Sequence, residues 1–535
     1  MIEIMKIIKR TAIILLLITL PVGIFADEKK PDVIQLYNGP ISGKAEDGVR
    51  IFLGLPYAAP PVGELRWKSP QAVAPWTQVR SHTVFSPSCP QPKQQDAGKF
   101  SEDCLYLNVW TTAENPEKRL PVMVWIHGGA FNFGSASQPE YNGRNLAKKG
   151  VVIVTINYRL GPLGFMVHPL LSKESAHGTS GNYALLDQIA ALKWVQNNIA
   201  AFGGNPDRVT IFGQSAGSRS VSLLMISFLS EGLFHRAIAE SGGLIIGSEY
   251  LNPVFNGNMA NVEKMGQKLT SRLGCDTAED VLAAMRARSA QEIVQAADCK
   301  TSVFDEGLFF APVFDGWVLP KDPLAAYAGG QQHDVPMIVG STLNEGNLYL
   351  ADETDLSVEK YKSFLKARFA ENSGKAFEMF PAHKSKDVAR AIDHFLTVAA
   401  NAQPARLVAQ SMERKKSRAY LYQFTRLPDT AMARKLGVYH GVELAYVFGN
   451  MNKADGYDDT DMGLSKKMMD YWVNFAKTGN PNGQGLADWP AYKSKSDLNL
   501  EFSDTIHINK HLFKKECDFI SRMSTYRRQS IHRSE

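Results

Sequence analysis

The sequence carries little net charge, few cysteines and, after its first 26 residues, no apolar run of membrane-spanning length. Its 535 residues contain 59 bases and 54 acids, a net charge of +5 that is too weak and dispersed to favour a nucleic-acid partner. None of the five cysteines lies in a CxxC pair, so we expect no structural zinc site. We also expect no other metal and no cofactor. Hydrophobic residues make up 44% of the chain, which excludes a disordered protein and provides enough apolar surface for a large core.

The first 26 residues have the pattern of a secretory signal peptide. Lys6, Lys9 and Arg10 precede an apolar run over 11–26, which ends in alanine before a charged segment. The run is 16 residues long, shorter than the roughly 20 residues of a spanning helix, and it contains Pro21. We therefore expect an exported protein, periplasmic or secreted, with no stable membrane span after cleavage. An uncleaved membrane anchor is the alternative.

The remaining chain alternates strand-like and helix-like segments, which predicts an α/β protein with a large, mainly parallel sheet and helices on both faces. Predicted strands cover 121–126, 151–157, 209–212 and 336–340, and predicted helices cover 183–199 and 218–228. Two stretches near 250–330 and 355–415 are rich in helix formers and carry no site motif. We interpret residues 27–535 as one domain in which these two stretches form cap-like insertions.

A G-x-S-x-G motif at 213–217 lies between a predicted strand and a predicted helix, the context that a nucleophile elbow requires. The sharp turn forces Ser215 into a strained backbone conformation, and side chains at Gly213 and Gly217 would collide with neighbouring chain. Ser215 would also begin a helix, whose N–H groups and dipole favour a developing oxyanion. The motif therefore predicts a serine nucleophile.

A serine hydroxyl needs a base that is itself held by a third group. In hydrolases with this elbow the acid and then the histidine follow the serine along the chain. Glu345 follows a predicted strand, and His440 lies between small residues in a later loop. Upstream, the glycine-rich segment 127–131 also follows a strand, and its N–H groups could complete an oxyanion hole with that of Ala216.

Several blocks in the same order resemble the type-B carboxylesterase family of α/β-hydrolases, whose members include the cholinesterases. The resemblance runs from about residue 32 to about residue 492. The matching blocks are 52–58, 60–67, 101–110, 202–217, 438–449 and 472–482. The resemblance implies an α/β-hydrolase fold and a serine esterase that cleaves small-molecule carboxylic esters through an acyl-enzyme intermediate.

The resemblance also implies a role for individual residues of this chain. Ser215 would be the nucleophile, His440 the general base and then acid, and Glu345 the carboxylate that orients it. The oxyanion-hole N–H groups would come from Gly129, Ala130 and Ala216.

Cysteine pairing follows from the resemblance for one pair and stays open for the others. Cys89 and Cys104 would form the family's first disulfide. Cys275 and Cys299 are spaced more widely than the family's second pair, so that pairing is left open, and Cys517 has no assigned partner.

Two departures from the family bear on the substrate. Gln214 stands before the serine where the family usually has glutamate, and no tryptophan lies between Cys89 and Cys104. Glu443, three residues after His440, resembles the family's buried acid. Losing an aromatic platform and a carboxylate disfavours a quaternary-ammonium substrate. A cholinesterase-like enzyme and a catalytically silent adhesion or binding protein of the same fold are the alternatives to a carboxylesterase.

Overall fold

The computed structural model describes residues 33–92, 99–242, 259–299, 304 and 308–523. The predicted signal peptide lies outside the described residues, as does the end of the chain after residue 523. No helix in the described ranges has both the length and the apolar character that a bilayer crossing needs.

Strands and helices alternate along most of the chain. The strands are β1 Val33–Leu36, β2 Gly39–Ser42, β3 Lys44–Glu46, β4 Val49–Pro56, β5 Arg80–Ser81, β6 Tyr106–Thr111, β7 Leu120–Ile126, β8 Val152–Ile156, β9 Gly204–Gln214, β10 Arg236–Glu240, β11 Met337–Thr342, β12 Ala419–Phe424, β13 Leu498–Phe502 and β14 Ile506–Lys510. The helices are α1 Arg144–Ala147, α2 Gly161–Phe165, α3 Pro169–Glu174, α4 Tyr183–Asn198, α5 Ala216–Leu224, α6 Met259–Arg272, α7 Val281–Ala287, α8 Ala290–Ala297, α9 Pro323–Ala328, α10 Val358–Phe369, α11 Ser373–Met379, α12 Ser385–Leu396, α13 Gln403–Ser411, α14 Ala431–Leu436, α15 Leu444–Phe448 and α16 Asp459–Thr478, with a π-helical turn at Thr397–Ala402 between α12 and α13.

One large sheet organises the molecule. Its eleven described strands follow the order β14-β13-β12-β11-β10-β9-β7-β8-β6-β4-β3, and a separate small sheet contains β1, β2 and β5. The strands from β13 to β8 are parallel to their neighbours, whereas the pairs at both ends of the sheet are antiparallel. The prediction of a mainly parallel α/β sheet is confirmed.

The central strands are buried on both faces, as their continuous apolar runs indicate. In β8, Val152 and Val154 pack into the cluster that contains α4, and Ile153 packs into the opposite cluster, which contains α16. A third cluster joins α10 and α12 to the chain around Phe519. Many of its residues come from the second predicted insertion, although the division into one domain with two insertions stays a prediction.

Two predicted boundaries near the elbow were wrong. The strand predicted at 209–212 begins earlier, at Gly204, because Gly204 already pairs with Leu120 across an irregularity in the ladder. The helix predicted at 218–228 covers Ala216–Leu224. The helix ends at Leu224, where the hydroxyl of Ser230 donates a hydrogen bond of 2.6 Å to the Leu224 carbonyl. This bond supplies a donor for one of the carbonyl groups that the end of a helix leaves without a partner inside the helix.

Candidate active site

Ser215 lies at the sharp turn between β9 and α5, with φ of 58° and ψ of −121°. A non-glycine residue adopts this conformation only where its surroundings enforce it. A Cβ atom at Gly217 would lie 1.9 Å from the carbonyl oxygen of Ile126, and one at Gly213 would lie 2.6 Å from it. The Ser215 N–H donates to the carbonyl of Glu240 at 2.9 Å. Contacts on several sides therefore hold the turn, and only glycine fits two residues before and two residues after the serine.

Glu345 lies in the loop after β11, at the carboxyl end of the parallel sheet, and is fully buried. One carboxylate oxygen accepts a hydrogen bond of 2.7 Å from the Thr342 N–H, and the other is hydrogen-bonded to Nδ1 of His440. Burial raises the pKa of the Glu345 carboxyl, but the charge and hydrogen bond of His440 and the Thr342 N–H outweigh it. The pKa therefore lies below its ordinary value, which keeps Glu345 ionised beside the imidazole.

A short bridge between two loops brings Glu345 and His440 together, although they are 95 residues apart. Asn344 forms an isolated β-bridge with Tyr439, and the Asn344 N–H donates to the carbonyl of Val438 at 3.0 Å. The Asn344 side-chain oxygen accepts from the Val438 N–H, also at 3.0 Å. Because these bonds lie immediately before each functional residue, they set the distance between the two side chains.

Asp393 of α12 supports the same loop and was not identified from the sequence. Its carboxylate accepts hydrogen bonds from the Gly346 N–H at 2.8 Å, the Asn347 N–H at 3.1 Å and the Asn344 side chain at 2.9 Å. Burial raises its pKa to about 6 despite these donors. A lone aspartate inside a helical pattern has no sequence signal for such a role, since its partners are backbone groups of a distant loop.

Ser215 and His440 both line a cavity of about 1200 Å³. Gly129 and Ala130 of the loop after β7 line it too, and both have positive φ, 105° and 50°. In the described chain the N–H groups of Gly129, Ala130 and Ala216 donate to no other backbone group. These three donors are thus available to a ligand oxygen near Ser215, which fits their predicted role.

Gln214, the residue before Ser215, lies against His440. It is buried, and its side-chain nitrogen lies 3.2 Å from Nε2 of His440. When the imidazole is neutral, the amide N–H can donate to the lone pair of Nε2, and the proton on Nδ1 then faces Glu345. A carboxylate at this position would instead favour the imidazolium. The departure noted in the sequence therefore places an amide directly against His440.

Two further acids are buried behind the site. Glu443 accepts a hydrogen bond of 2.7 Å from the Ser241 hydroxyl, and Glu240 accepts one of 2.7 Å from the Trp472 indole. The second oxygen of each carboxyl is buried without a partner in the described chain. Burial, together with the charge of Glu345, raises the pKa of Glu443 to about 7, and burial and Glu443 raise that of Glu240 as well. The buried position expected for Glu443 is confirmed, whereas Glu240 was not identified from the sequence.

We expect Glu443→Gln to stabilise the protein increasingly as pH rises from about 4.5 to 7. Because the pKa of Glu443 is raised in the folded protein, this carboxyl loses its proton at a lower pH in the unfolded chain. The wild-type protein therefore loses stability as pH rises across that window. The amide does not ionise and can still accept from Ser241. The gain should reach about 1–3 kcal/mol above pH 7 and vanish below pH 4.5.

Thermal unfolding of wild type and variant between pH 4 and 8 measures this difference. Glu114→Gln, at an exposed position, is the matched control and should show no such trend. A difference in melting temperature between Glu443→Gln and wild type that stays constant with pH would contradict the raised pKa.

The disulfide expected between Cys89 and Cys104 is present, with Cα atoms 5.1 Å apart. Cys275, Cys299 and Cys517 are free thiols, so the pairing left open between Cys275 and Cys299 does not form. The described residues contain no group of three or more histidine, cysteine, aspartate or glutamate side chains arranged to hold a metal ion.

The sheet, the strained serine after its central strand and the loops at the carboxyl ends of its strands define an α/β-hydrolase fold. A solved structure titled PNB esterase matches it with a TM-score of 0.79 and 33% sequence identity, covering 91% of this chain and 99% of that one. A thermophilic PNB esterase matches equally well, with a TM-score of 0.79 and 34% identity.

Sequence comparisons agree with the structural ones. The profile of the carboxylesterase family matches residues 30–520. Fumonisin B1 esterase of Sphingopyxis macrogoltabida is 35% identical over 495 residues, covering 90% of this chain and 88% of that protein. Para-nitrobenzyl esterase of Bacillus subtilis (strain 168) is 35% identical over 491 residues, covering 89% and 96%. The chain belongs to the carboxylesterase family and is a carboxylic-ester hydrolase.

Proposed function

We propose that Ser215, His440 and Glu345 form a catalytic triad that hydrolyses small-molecule carboxylic esters through an acyl-enzyme. The observation that carries this proposal is the placement of a strained serine and a histidine on one cavity, with the histidine bonded to a buried carboxylate. The N–H groups of Gly129, Ala130 and Ala216 form no backbone hydrogen bonds in the described chain, which supports a role as the oxyanion donors that acyl transfer requires.

Acylation uses these groups in a fixed order. The Ser215 hydroxyl replaces the Gln214 amide as the donor to Nε2 of His440, which takes the proton as Oγ attacks the ester carbonyl. The N–H groups of Gly129, Ala130 and Ala216 stabilise the oxyanion, and the low dielectric of the buried site strengthens each bond. His440 then protonates the departing alcohol. Glu345 stays ionised and stabilises the imidazolium.

Deacylation repeats the sequence with water. His440 takes a proton from water as the oxygen attacks the acyl carbon, and then returns it to Oγ of Ser215 as the carboxylic acid leaves.

Labelling with a fluorophosphonate probe tests whether Ser215 is activated. We expect one adduct on the wild-type protein by intact mass and none on Ser215→Ala, because only an activated serine reacts with the probe. Peptide mapping should place the adduct on Ser215. Absence of an adduct on folded wild-type protein would mean that the triad is not assembled.

We further propose that the protein is exported after loss of residues 1–26. The disulfide supports this, since such bonds persist in oxidising compartments. N-terminal sequencing of the protein from culture medium and periplasm tests it, and a mature chain that starts at Asp27 is expected. A chain that retains Met1 and fractionates with membranes would favour the uncleaved anchor.

A further inference from the structure

Gln214 is the last residue of β9, and it lines the cavity that Ser215 and His440 also line. Only 5% of its surface is exposed. A Cβ atom at Gly128 would lie 3.1 Å from its Oε1 atom, and one at Gly441 would lie 3.5 Å from its Nε2 atom. The amide group therefore lies closely between two glycines of the cavity wall, next to the imidazole.

Both ring nitrogens of His440 have hydrogen-bond partners. Nδ1 is bonded to the Glu345 carboxylate, and Nε2 lies 3.2 Å from the Gln214 amide nitrogen. Among the described residues, the Ser215 hydroxyl forms no hydrogen bond with Nε2. Because a carboxylate accepts and an amide N–H donates, the two contacts together favour the neutral imidazole with its proton on Nδ1. This is the form of histidine that can take a proton from a serine.

Three ionisable groups of the described chain face His440 from the elements around it. Glu345 is ionised and stabilises the imidazolium. Glu443 is mostly uncharged in acidic solution, because burial and the charge of Glu345 raise its pKa to about 7. The ring centre of Tyr349 lies 6.0 Å from that of His440, and burial raises the pKa of its hydroxyl, which keeps it neutral. Gln214 adds no net charge in either orientation of its amide, so one carboxylate rather than two stabilises the imidazolium.

Charges on the rest of the cavity wall act more weakly on the imidazole. The charged residues there are Glu140, Asp352, Glu353, Asp429, Arg434 and Asp455. Asp429 pairs with Arg434 and Glu353 pairs with Lys360, whereas the other three are exposed to solvent. Salt screens exposed charges over about 8 Å at physiological ionic strength, and it screens buried charges much less. A charge at position 214, in contact with the ring, would therefore have the larger influence.

We propose that Gln214 is a positioning residue that holds His440 as a neutral base with its proton on Nδ1, so that the enzyme stays active in more acidic solution than a carboxylate at position 214 would allow. This inference rests on the proposed function. The amide donates to Nε2 until the Ser215 hydroxyl takes its place. A carboxylate at position 214 would instead accept a hydrogen bond from a protonated Nε2 and favour the imidazolium, which cannot act as a base.

The pH dependence of kcat/KM for phenyl acetate tests this role, because the phenol product stays un-ionised between pH 4 and 8. Gln214→Glu should move the midpoint of the acidic limb upward by about one pH unit or more, the effect of an opposite charge within about 4–6 Å. Gln214→Met removes the donor without adding a charge, so its midpoint should lie between those of the wild type and Gln214→Glu. Gln214→Met carries the test alone if Gln214→Glu does not fold.

Gln138→Glu is the matched control for the added charge. Gln138 lines the same cavity and is not hydrogen-bonded to His440, so this variant adds a carboxylate without the contact. Its midpoint should stay close to that of the wild type. Equal shifts in Gln138→Glu and Gln214→Glu would overturn the inference, because the overall charge of the cavity would then account for both.

The rate of labelling by the fluorophosphonate probe provides a second readout, since labelling needs the same base but no deacylation. The midpoints for labelling should move as those for hydrolysis do. Lower activity in the Gln214 variants with unmoved midpoints would show a merely structural role and overturn the inference. Wild-type protein that neither hydrolyses phenyl acetate nor reacts with the probe would instead refute the proposed function itself.

Discussion

Ser215→Ala is expected to abolish ester hydrolysis, lowering kcat roughly a millionfold, the loss that removal of a triad serine causes in other serine hydrolases. Alanine lacks only Oγ, so the variant can keep the strained turn, the hydrogen bond from its N–H to Glu240 and the buried Cβ. The oxyanion donors and the cavity remain. Because ground-state contacts persist while the nucleophile is gone, substrate binding should change little.

Timed assays of the hydrolysis of a 4-nitrophenyl ester measure this loss in kcat. Isothermal titration calorimetry with a reaction product checks that binding is unchanged. Ser222→Ala is the matched control, since Ser222 lies on the same helix, is fully buried and has a hydroxyl without a partner in the described chain. It should retain wild-type turnover. Substantial hydrolysis by purified Ser215→Ala, free of wild-type enzyme, would show that another group is the nucleophile.

Glu345→Gln should lower kcat by a factor on the order of 10⁴, as the equivalent change does in another serine hydrolase. The amide oxygen can still accept from the Thr342 N–H, which leaves an NH₂ group facing Nδ1 of His440. That contact requires Nδ1 to be an acceptor, so the proton moves to Nε2, where the base must be free to receive one. The variant also lacks the charge that stabilises the imidazolium.

Comparison with two other substitutions separates this role from general electrostatics. Glu345→Asp keeps the charge but shortens the side chain, and it should recover part of the activity. Asp352→Asn removes a carboxylate from the wall of the same cavity and should leave turnover of a neutral ester close to wild type. Near-normal turnover by folded Glu345→Gln would mean that a different group orients His440.

Some features of the site and of the sheet could be predicted from local sequence patterns, and others could not. The elbow could be predicted because its motif lies within five consecutive residues. The structure shows why its glycines are required, since a Cβ atom added at Gly217 would lie 1.9 Å from the carbonyl oxygen of Ile126. The buried strands could also be predicted, since a strand covered on both faces must be apolar throughout. The start of β9 could not be predicted, because the pairing of Gly204 with Leu120 is a contact distant in sequence.

Glu345 and His440 were identified by chain order and by resemblance rather than by geometry. The sequence has 54 acids and 12 histidines, and no local feature marks these two as partners. The bridge between Asn344 and Tyr439 brings them together, and the helix that carries Asp393 holds the loop in place. Both contacts exist only once the sheet has assembled.

The sequence by itself predicted the fold class from the periodicity of apolar residues and a candidate nucleophile from a short motif. The roles of Glu345 and His440 and the Cys89–Cys104 pair followed from the resemblance to the carboxylesterase family. The tertiary structure decided what depends on long-range burial and pairing. It placed the Gln214 amide against His440 and buried Glu240 and Glu443 beside the candidate triad. The free energy of a charge depends on its surroundings, and those surroundings come from segments far apart in the chain.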